Sequence, residues 1–332
     1  MTPLGHRRPR RLSAAAWAVS GMMLLAAPAA AAGEDFGPWL QALRRQALDD
    51  GISAATLDAA LTGVQPIPRV IELDRDQPEF KRTFQQYLDL VAPETRVANG
   101  REALARHRAL LEAVAARYGV QPRFIVALWG VETDFGRVTG GFPVVAALAT
   151  LAFEGRRSEF FRRELLDALH ILDERHIGVA EMTGSWAGAM GQSQFMPSSF
   201  RRYAVDYDGD GRRDIWSTEA DVFASIANYL AGNGWRAGQG WGRAVRLPPG
   251  FDPALVGPKI EKPLAEWQAL GVRTATGGDL PAANLSASVV QPDGPRGPAL
   301  IVYENFKTIM RWNRSTYFAA TVGYLADRIG GG

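Results

Sequence analysis

The chain has 332 residues, 47% of them hydrophobic, with 37 Lys and Arg against 35 Asp and Glu and no cysteine. That length and apolar share allow a large core and about two structural units, which excludes a disordered or fibrous protein, and the missing cysteines exclude disulfides, thiolate metal sites, thiol nucleophiles and lipid attachment through sulfur. Residues 1–32 hold four arginines and no acid, so the remainder carries 33 basic against 35 acidic residues and offers no global basic field for nucleic acid or an anionic membrane.

In that leader, Arg7, Arg8, Arg10 and Arg11 precede a small-residue apolar run over 14–32 that ends in an alanine tract. It reads as a cleavable secretory signal; the alternative, a membrane anchor, is opposed by the dominance of Ala and by Pro28. The pair Arg10 and Arg11 permits a folded-export route. Beyond it, the spacing of Phe36, Trp39, Leu40, Leu43, Ala47 and Leu48 predicts a helix, with a second over 54–61. Residues 64–76, with Pro66 and Pro68, read as irregular. Phe80, Phe84, Tyr87, Leu88 and Val91 mark the next helical face, ended by Pro93, and one long helix is predicted over 95–118, stopped by Gly119.

The stretch 125–136 differs from all of these. One carboxylate, Glu132, follows seven uncharged residues on a helix that Pro122 can start. A dry setting at the negative end of a helix favours the neutral acid, and a carboxyl that stays protonated near neutral pH can act as a general acid toward a glycosidic oxygen. The plainer alternative is a helix-end Glu that reaches solvent. Next come a glycine-rich turn over 136–143, read as a tight packing turn or a close approach to ligand, and a buried helix over 144–151. The helix predicted over 158–173 is preceded by Arg156 and Arg157 and carries Arg162 and Arg163, which solvate it or, at its start, suit an anionic or polyhydroxylated ligand.

Residues 183–200 mix glycines with Ser185, Gln192, Ser193 and Gln194 beside Trp186, Phe195 and Met196. The mixture fits a sugar cleft, whose occupant needs hydrogen bonds for its hydroxyls and apolar surface for its CH faces, or a polar loop between helices. In DYDGDGRRD at 206–214, Asp206, Asp208 and Asp210 at loop positions 1, 3 and 5 with Gly211 at position 6 match the start of a calcium-binding EF-hand loop, where Arg212 would offer its carbonyl. Position 12 is Ser217 in place of a bidentate Glu, so closure passes to Asp221, with Glu219 as the alternative. A helix over 222–230 carries Tyr229. The Gly- and Pro-rich stretch 238–298, with apolar runs at 243–247 and 286–290 and another at 300–303, reads as a small strand-bearing subdomain. Helical spacing then returns over 305–329, where Asn305, Trp312 and Asn313 face a cleft or pack.

Taken together, WGVETDFGR at 129–137, GSWAGAMG at 184–191, QFMPSS at 194–199, the Asp206 loop and ANY at 227–229 resemble the membrane-bound lytic murein transglycosylase B family, over about residues 77–325. The resemblance implies a mainly α, lysozyme-like fold divided into a signal (1–32), an N-terminal helical domain (33–120), a catalytic core with the EF-hand-like loop (121–237), a small β-containing subdomain (238–300) and a C-terminal helical segment (301–332). It implies a periplasmic enzyme without a lipid anchor, acting alone as a monomer on peptidoglycan glycan strands, with cell-wall synthesis proteins as candidate protein partners. Cleavage would be non-hydrolytic, between N-acetylmuramic acid and N-acetylglucosamine, with Glu132 first as acid and then as base. Tyr87, Arg156 or Arg157, Ser185, Gln194 and Tyr229 match the family's cleft positions, and Asp206, Asp208, Asp210, Arg212 and Asp221 its structural Ca2+ site; no organic cofactor is implied. Lys307 and Trp312 stand where tyrosines are expected. Two other classes remain: a muramidase whose second acid is Asp173 or Glu181, since Asp134 lies off the helical face of Glu132, and a non-catalytic glycan- or calcium-binding module.

Overall fold

A computed structural model describes residues 35–75 and 82–331; the predicted signal and the start of the Phe80 helical face lie outside the described residues. Among the described residues the amino-terminal part forms seven helices: α1 (Phe36–Asp49), α2 (Ala54–Leu61), α3 (Pro68–Arg75), α4 (Phe84–Val91), α5 (Glu94–Arg106), α6 (Arg108–Tyr118) and α7 (Pro122–Thr133). Local chemistry accounts for several of their starts. Ser53 accepts the amide of Thr56 to cap α2, Thr83 and Gln86 form a reciprocal capping box on α4, and Pro122 opens α7. Helix α3 corrects the reading of 64–76 as irregular: Pro68 stands at the first helical position, where its fixed φ suits the helix and its missing N–H has no partner to lose.

The single helix expected over 95–118 is broken at His107, which leaves helical geometry at φ −101°, ψ 17°. The break places the imidazole edge-on against Trp129 and Phe223, at centroid distances of 5.8 and 5.3 Å. Helical spacing on its own carries no trace of that gain in packing.

Helix α7 forms the centre of the main core. Phe124, Ile125, Val126, Ala127 and Leu128 are all fully buried, as expected of a helix that is apolar on every side. Around it stand α5, α6, α11 (Glu219–Gly232) and α14 (Thr316–Gly330), while α8 (Val144–Glu154), α9 (Ser158–Asp173) and α10 (Pro197–Tyr203) form an adjoining packed layer. Two short strands, β1 (Phe142–Pro143) and β2 (Thr183–Gly184), pair antiparallel between them.

A second hydrophobic cluster belongs to the β elements. Strands β3 (Gly242–Arg246), β4 (Lys262–Pro263), β5 (Arg273–Thr274), β6 (Ser286–Val290) and β7 (Ala299–Val302) make an antiparallel sheet in the order β4-β6-β7-β3-β5, with Val289 opposite Ile301 and Val245 opposite Ala299. Helix α12 (Leu264–Ala269) covers it through Trp267, which is fully buried and donates its indole N–H to the Ala287 carbonyl at 2.9 Å. The chain then returns to the main core through α13 (Glu304–Trp312) and α14. The helical stretch expected over 305–329 is divided at residues 313–315, where Asn313 accepts the amide of Ser315 and Ser315 caps α14. Among the described residues no helix is long and apolar enough to cross a membrane.

Candidate active site

Helix α7 ends abruptly. Asp134 and Phe135 take left-handed backbone at φ 52° and 61°, a conformation that costs a residue with a side chain about 1–2 kcal/mol each. Tertiary contacts hold them there: Phe135 packs edge-on against Trp129 at 5.5 Å, and the Asp134 carboxylate meets Arg96 at 3.2 Å and Arg137 at 2.9 Å. Asp134 is therefore committed to two arginines. The glycine-rich turn that follows is a packing device at Gly140, where a Cβ would stand 2.1 Å from the Gly184 carbonyl oxygen.

Glu132 is left 6% exposed at the last turn of α7. Its Oε1 accepts a hydrogen bond from the indole Nε1 of Trp312 at 2.7 Å. Burial raises the pKa of this carboxyl to about 8, against the smaller opposing pull of the Trp312 N–H, so the side chain is a protonated acid at neutral pH. Trp312 is the last residue of α13 and is itself fixed by aromatic contacts, with Tyr229 at 4.7 Å and Phe195 at 5.2 Å. An indole can only donate. Whereas a tyrosine could accept a hydrogen bond from the acid as well as donate one, Trp312 only donates and leaves the acidic proton to the other carboxyl oxygen.

Trp312 also lines a cleft of about 260 Å³ together with Arg157, Glu164, Gln194, Met196, Tyr229 and the segment 311–314. Glu132 is not among the lining residues and meets this wall through its hydrogen bond to Trp312. Gln194 takes left-handed backbone at φ 50° and donates its amide to the carbonyls of Thr139 and Gly191, both at 3.0 Å, which leaves its buried Oε1 without a donor. Tyr229 donates its hydroxyl to the Arg311 carbonyl at 2.7 Å, and burial pushes its pKa up to about 12, so it shapes the wall and does not exchange protons. Arg156 and Arg157 share the buried carboxylate of Asp74, Arg156 at 2.6 Å. Only Arg157 reaches the cleft wall, where its Nε–H is buried without an acceptor.

The other expected residues lie off this wall. Ser185 is buried and accepts the Ala189 amide at 3.0 Å, fixing the loop whose Ala187 and Ala189 line the cleft. Tyr87 packs edge-on against Tyr317 at 5.6 Å. Lys307 pairs with Glu261 and Glu304 and faces a different groove, beside the sheet. Asn305 is a packing residue that ties the 236–239 loop through its amide. Neither acid considered as a second carboxylate lines the cleft: Asp173 accepts from Ser53 and Thr56 at 2.6 and 2.7 Å at the start of α2, and Glu181 packs against Gly178. A different acid does. Glu164, 4% exposed, lies on the wall with both oxygens engaged by Ser198, at 2.9 Å from its amide and 2.7 Å from its hydroxyl, and burial raises its pKa. The spacing of Phe161, Glu164, Leu165 and Ala168 on α9 already carried that signal, one charge on an apolar helical stripe.

At the 206–214 loop, ligand oxygens of Asp206, Asp208 and Asp210 lie within 4.8 Å of one another. Asp206 accepts the amides of Gly209 and Gly211, at 2.7 and 2.9 Å, through a turn in which Gly211 has φ 90°. Three hard oxygen donors converging on a glycine turn fit a divalent cation of the calcium type. Asp221 is fully buried beneath the loop, its two oxygens accepting the amides of Tyr207 and Asp214, both at 2.7 Å. Arg212 donates its amide to Asp210 at 2.8 Å.

The family described as the Transglycosylase SLT domain matches residues 35–327. The chain belongs to that family. It is 37% identical over 220 residues to the membrane-bound lytic murein transglycosylase B of Escherichia coli strain K12, an alignment that spans 64% of this chain and 58% of the relative's length. Among solved structures, SltB3 from Pseudomonas aeruginosa, in complex with NAG-anhNAM-pentapeptide, is 49% identical and superposes with a TM-score of 0.87 over 90% of this chain and 80% of the other. The lytic transglycosylase Slt35 of Escherichia coli, in complex with calcium, is 30% identical with a TM-score of 0.76, over 90% of this chain and 94% of that one. The lysozyme-like, mainly helical fold with a small antiparallel β part is thus the fold of the family.

Proposed function

We propose that the chain is a peptidoglycan lytic transglycosylase that cleaves the bond between N-acetylmuramic acid and N-acetylglucosamine without water and leaves a 1,6-anhydro end. The observation that carries this reading is Glu132, a buried carboxyl with a pKa of about 8 joined to the cleft wall by the Trp312 hydrogen bond, while the acid on that wall, Glu164, has both oxygens occupied. Glu132 protonates the bridging oxygen and the C1–O bond breaks. As a carboxylate, Glu132 then takes the proton of the muramoyl C6 hydroxyl while that oxygen bonds to C1, which returns Glu132 to its acid form. A well-held internal hydroxyl can reach an effective molarity of about 10⁵–10⁸ M, far above that of bulk water, so no second carboxylate is required. Gln194 and Arg157, which line the cleft, hold the sugar against the wall of Tyr229 and Trp312. Ser185 sets the loop beneath it, Tyr87 packs α4 against Tyr317 of α14, and Arg156 shares the Asp74 carboxylate with Arg157. The proposal includes the division at 121–237 and 238–300, export to the periplasm and one structural Ca2+ held by Asp206, Asp208, Asp210 and the Arg212 carbonyl, with Asp221 closing the site from below.

Digestion of purified sacculi in oxygen-18 water tests it. Unlabelled muramoyl ends one water lighter than the reducing sugar are expected. Labelled reducing ends would establish a hydrolase, for which Glu164 is the acid on the cleft wall, and binding without any product would establish a non-catalytic module.

A further inference from the structure

Gln192 belongs to the polar stretch 183–200 but does not line the cleft. It is 9% exposed and makes four hydrogen bonds, two to each of the segments on either side of it. Toward α7, its Oε1 accepts the indole N–H of Trp129 at 2.8 Å and its backbone carbonyl accepts the Thr133 hydroxyl at 2.9 Å. Trp129 lies one turn before Glu132 and Thr133 directly after it, so both bonds grip the end of the helix that carries the acid. Gly136 makes room for this side chain, since a Cβ there would stand 2.4 Å from the Gln192 Oε1. On the other side, Nε2 donates to the Trp216 carbonyl at 2.9 Å and the backbone amide to the Ile215 carbonyl at 2.8 Å. That turn is itself anchored. Asp214 accepts the amides of Trp216 and Ser217, both at 2.9 Å, and donates its own amide to the buried Asp221 at 2.7 Å.

A buried amide bonded at both ends holds two segments at a set distance, and removing it leaves the Trp129 N–H and the Trp216 carbonyl unpaired away from water. The Glu132 side chain accepts one hydrogen bond, from Trp312, so its placement depends on where the last turn of α7 stands. We propose that Gln192 is a positioning residue: it ties the last turn of α7 to the 214–217 turn and thereby sets where Glu132 stands against the Trp312 N–H. The inference rests on the transglycosylase reading above and names a residue that the reaction needs although it touches no substrate.

Gln192→Met keeps the length of the side chain and removes both of its bonds. On soluble glycan strands its kcat should fall about ten- to a hundredfold with KM nearly unchanged, since a misplacement of about 1 Å can cost about 10²-fold and the residue lies off the cleft. The alkaline limb of its pH profile should move below about 8, because burial is what raises this carboxyl and a loosened turn admits water to it. Gln192→Glu supplies the rescue. As a neutral acid it can accept from Trp129 and donate to the Trp216 carbonyl as the amide does, so relative to wild type it should be nearly fully active in acid and fall toward the Gln192→Met rate as its own carboxyl ionises. Without substrate, amide exchange in Gln192→Met should quicken at residues 130–133 and not across the core. A Gln192→Met protein that is only less stable, with kcat unchanged or the alkaline limb not lowered, would overturn the proposal, as would a Gln192→Glu protein as slow in acid as Gln192→Met. If wild-type digests contain no anhydro product, the transglycosylase reading fails and the catalytic role with it; the exchange rates at 130–133 then still decide whether Gln192 holds α7.

Discussion

The cleft and the Asp206 loop use the same functional group in opposite environments. Glu132 is walled in by α7 and α13, accepts one hydrogen bond and is held in its neutral form with a pKa of about 8. Asp206 lies at an exposed turn where desolvation pushes its pKa up, but the hydrogen bonds from the amides of Gly211, Gly209 and Asp210 and from Asp208 together hold it below the usual carboxylate range. One carboxyl is kept ready to give a proton, and the other is kept charged to hold a cation. What separates them is the count of N–H donors and the access of water, not the residue type.

The largest expected effect removes the proton from the first of these sites. Glu132→Gln should keep the fold and the binding of glycan while turnover falls at least 10²–10⁴-fold, roughly the general acid–base contribution, because the amide can neither donate an acidic proton nor take one back. Retention of more than about a tenth of wild-type activity would remove Glu132 from the chemistry.

Stability should show the same contrast. A carboxyl raised from 4.5 to about 8 binds more protons in the folded than in the unfolded chain between those values. Its contribution is therefore complete below pH 4.5 and is lost as pH rises through about 8. Glu132→Gln should gain stability relative to wild type across that window, on the order of 4 kcal/mol by pH 9, measured by urea unfolding at a series of pH values. A pH-independent difference would show that Glu132 is not a buried acid.

At the exposed site, calcium should raise the unfolding free energy of metal-free protein by about 2.7 kcal/mol at a hundredfold excess over Kd. Asp208→Asn should weaken that response and leave the pH dependence of turnover in place, which keeps the two sites distinct. The smallest effect concerns Trp312. Its N–H favours the ionised form of Glu132, so Trp312→Phe should move the alkaline limb of the activity profile upward from about 8, by about one pH unit for a hydrogen bond to a charged group. Trp312→Tyr, which keeps a donor, should move it less.

Much of this was legible in the residues. Pro122 and the unbroken apolar run announce α7 and its isolated carboxyl, and the alternation of aspartates with Gly211 announces the cation loop, because both are local patterns with local causes. The break at His107, helix α3 and the division of the last helical stretch were not, since spacing records which face is apolar and not where the chain must bend to bury it. Glu164 lay in plain view on an apolar stripe, yet its place on the cleft wall depends on α10 bringing Ser198 to it.

Which residues can do chemistry and which segments are helical follow from side-chain type and from periodicity over a few turns, and both are local properties of the chain. The tertiary structure decided the partners. It put Trp312, 180 positions away, onto Glu132, gave Arg156 and Arg157 to Asp74 and brought Ser198 to Glu164. A pKa, an ion pair or a cleft wall is set by neighbours in space, and long-range neighbours are chosen only when the helices pack.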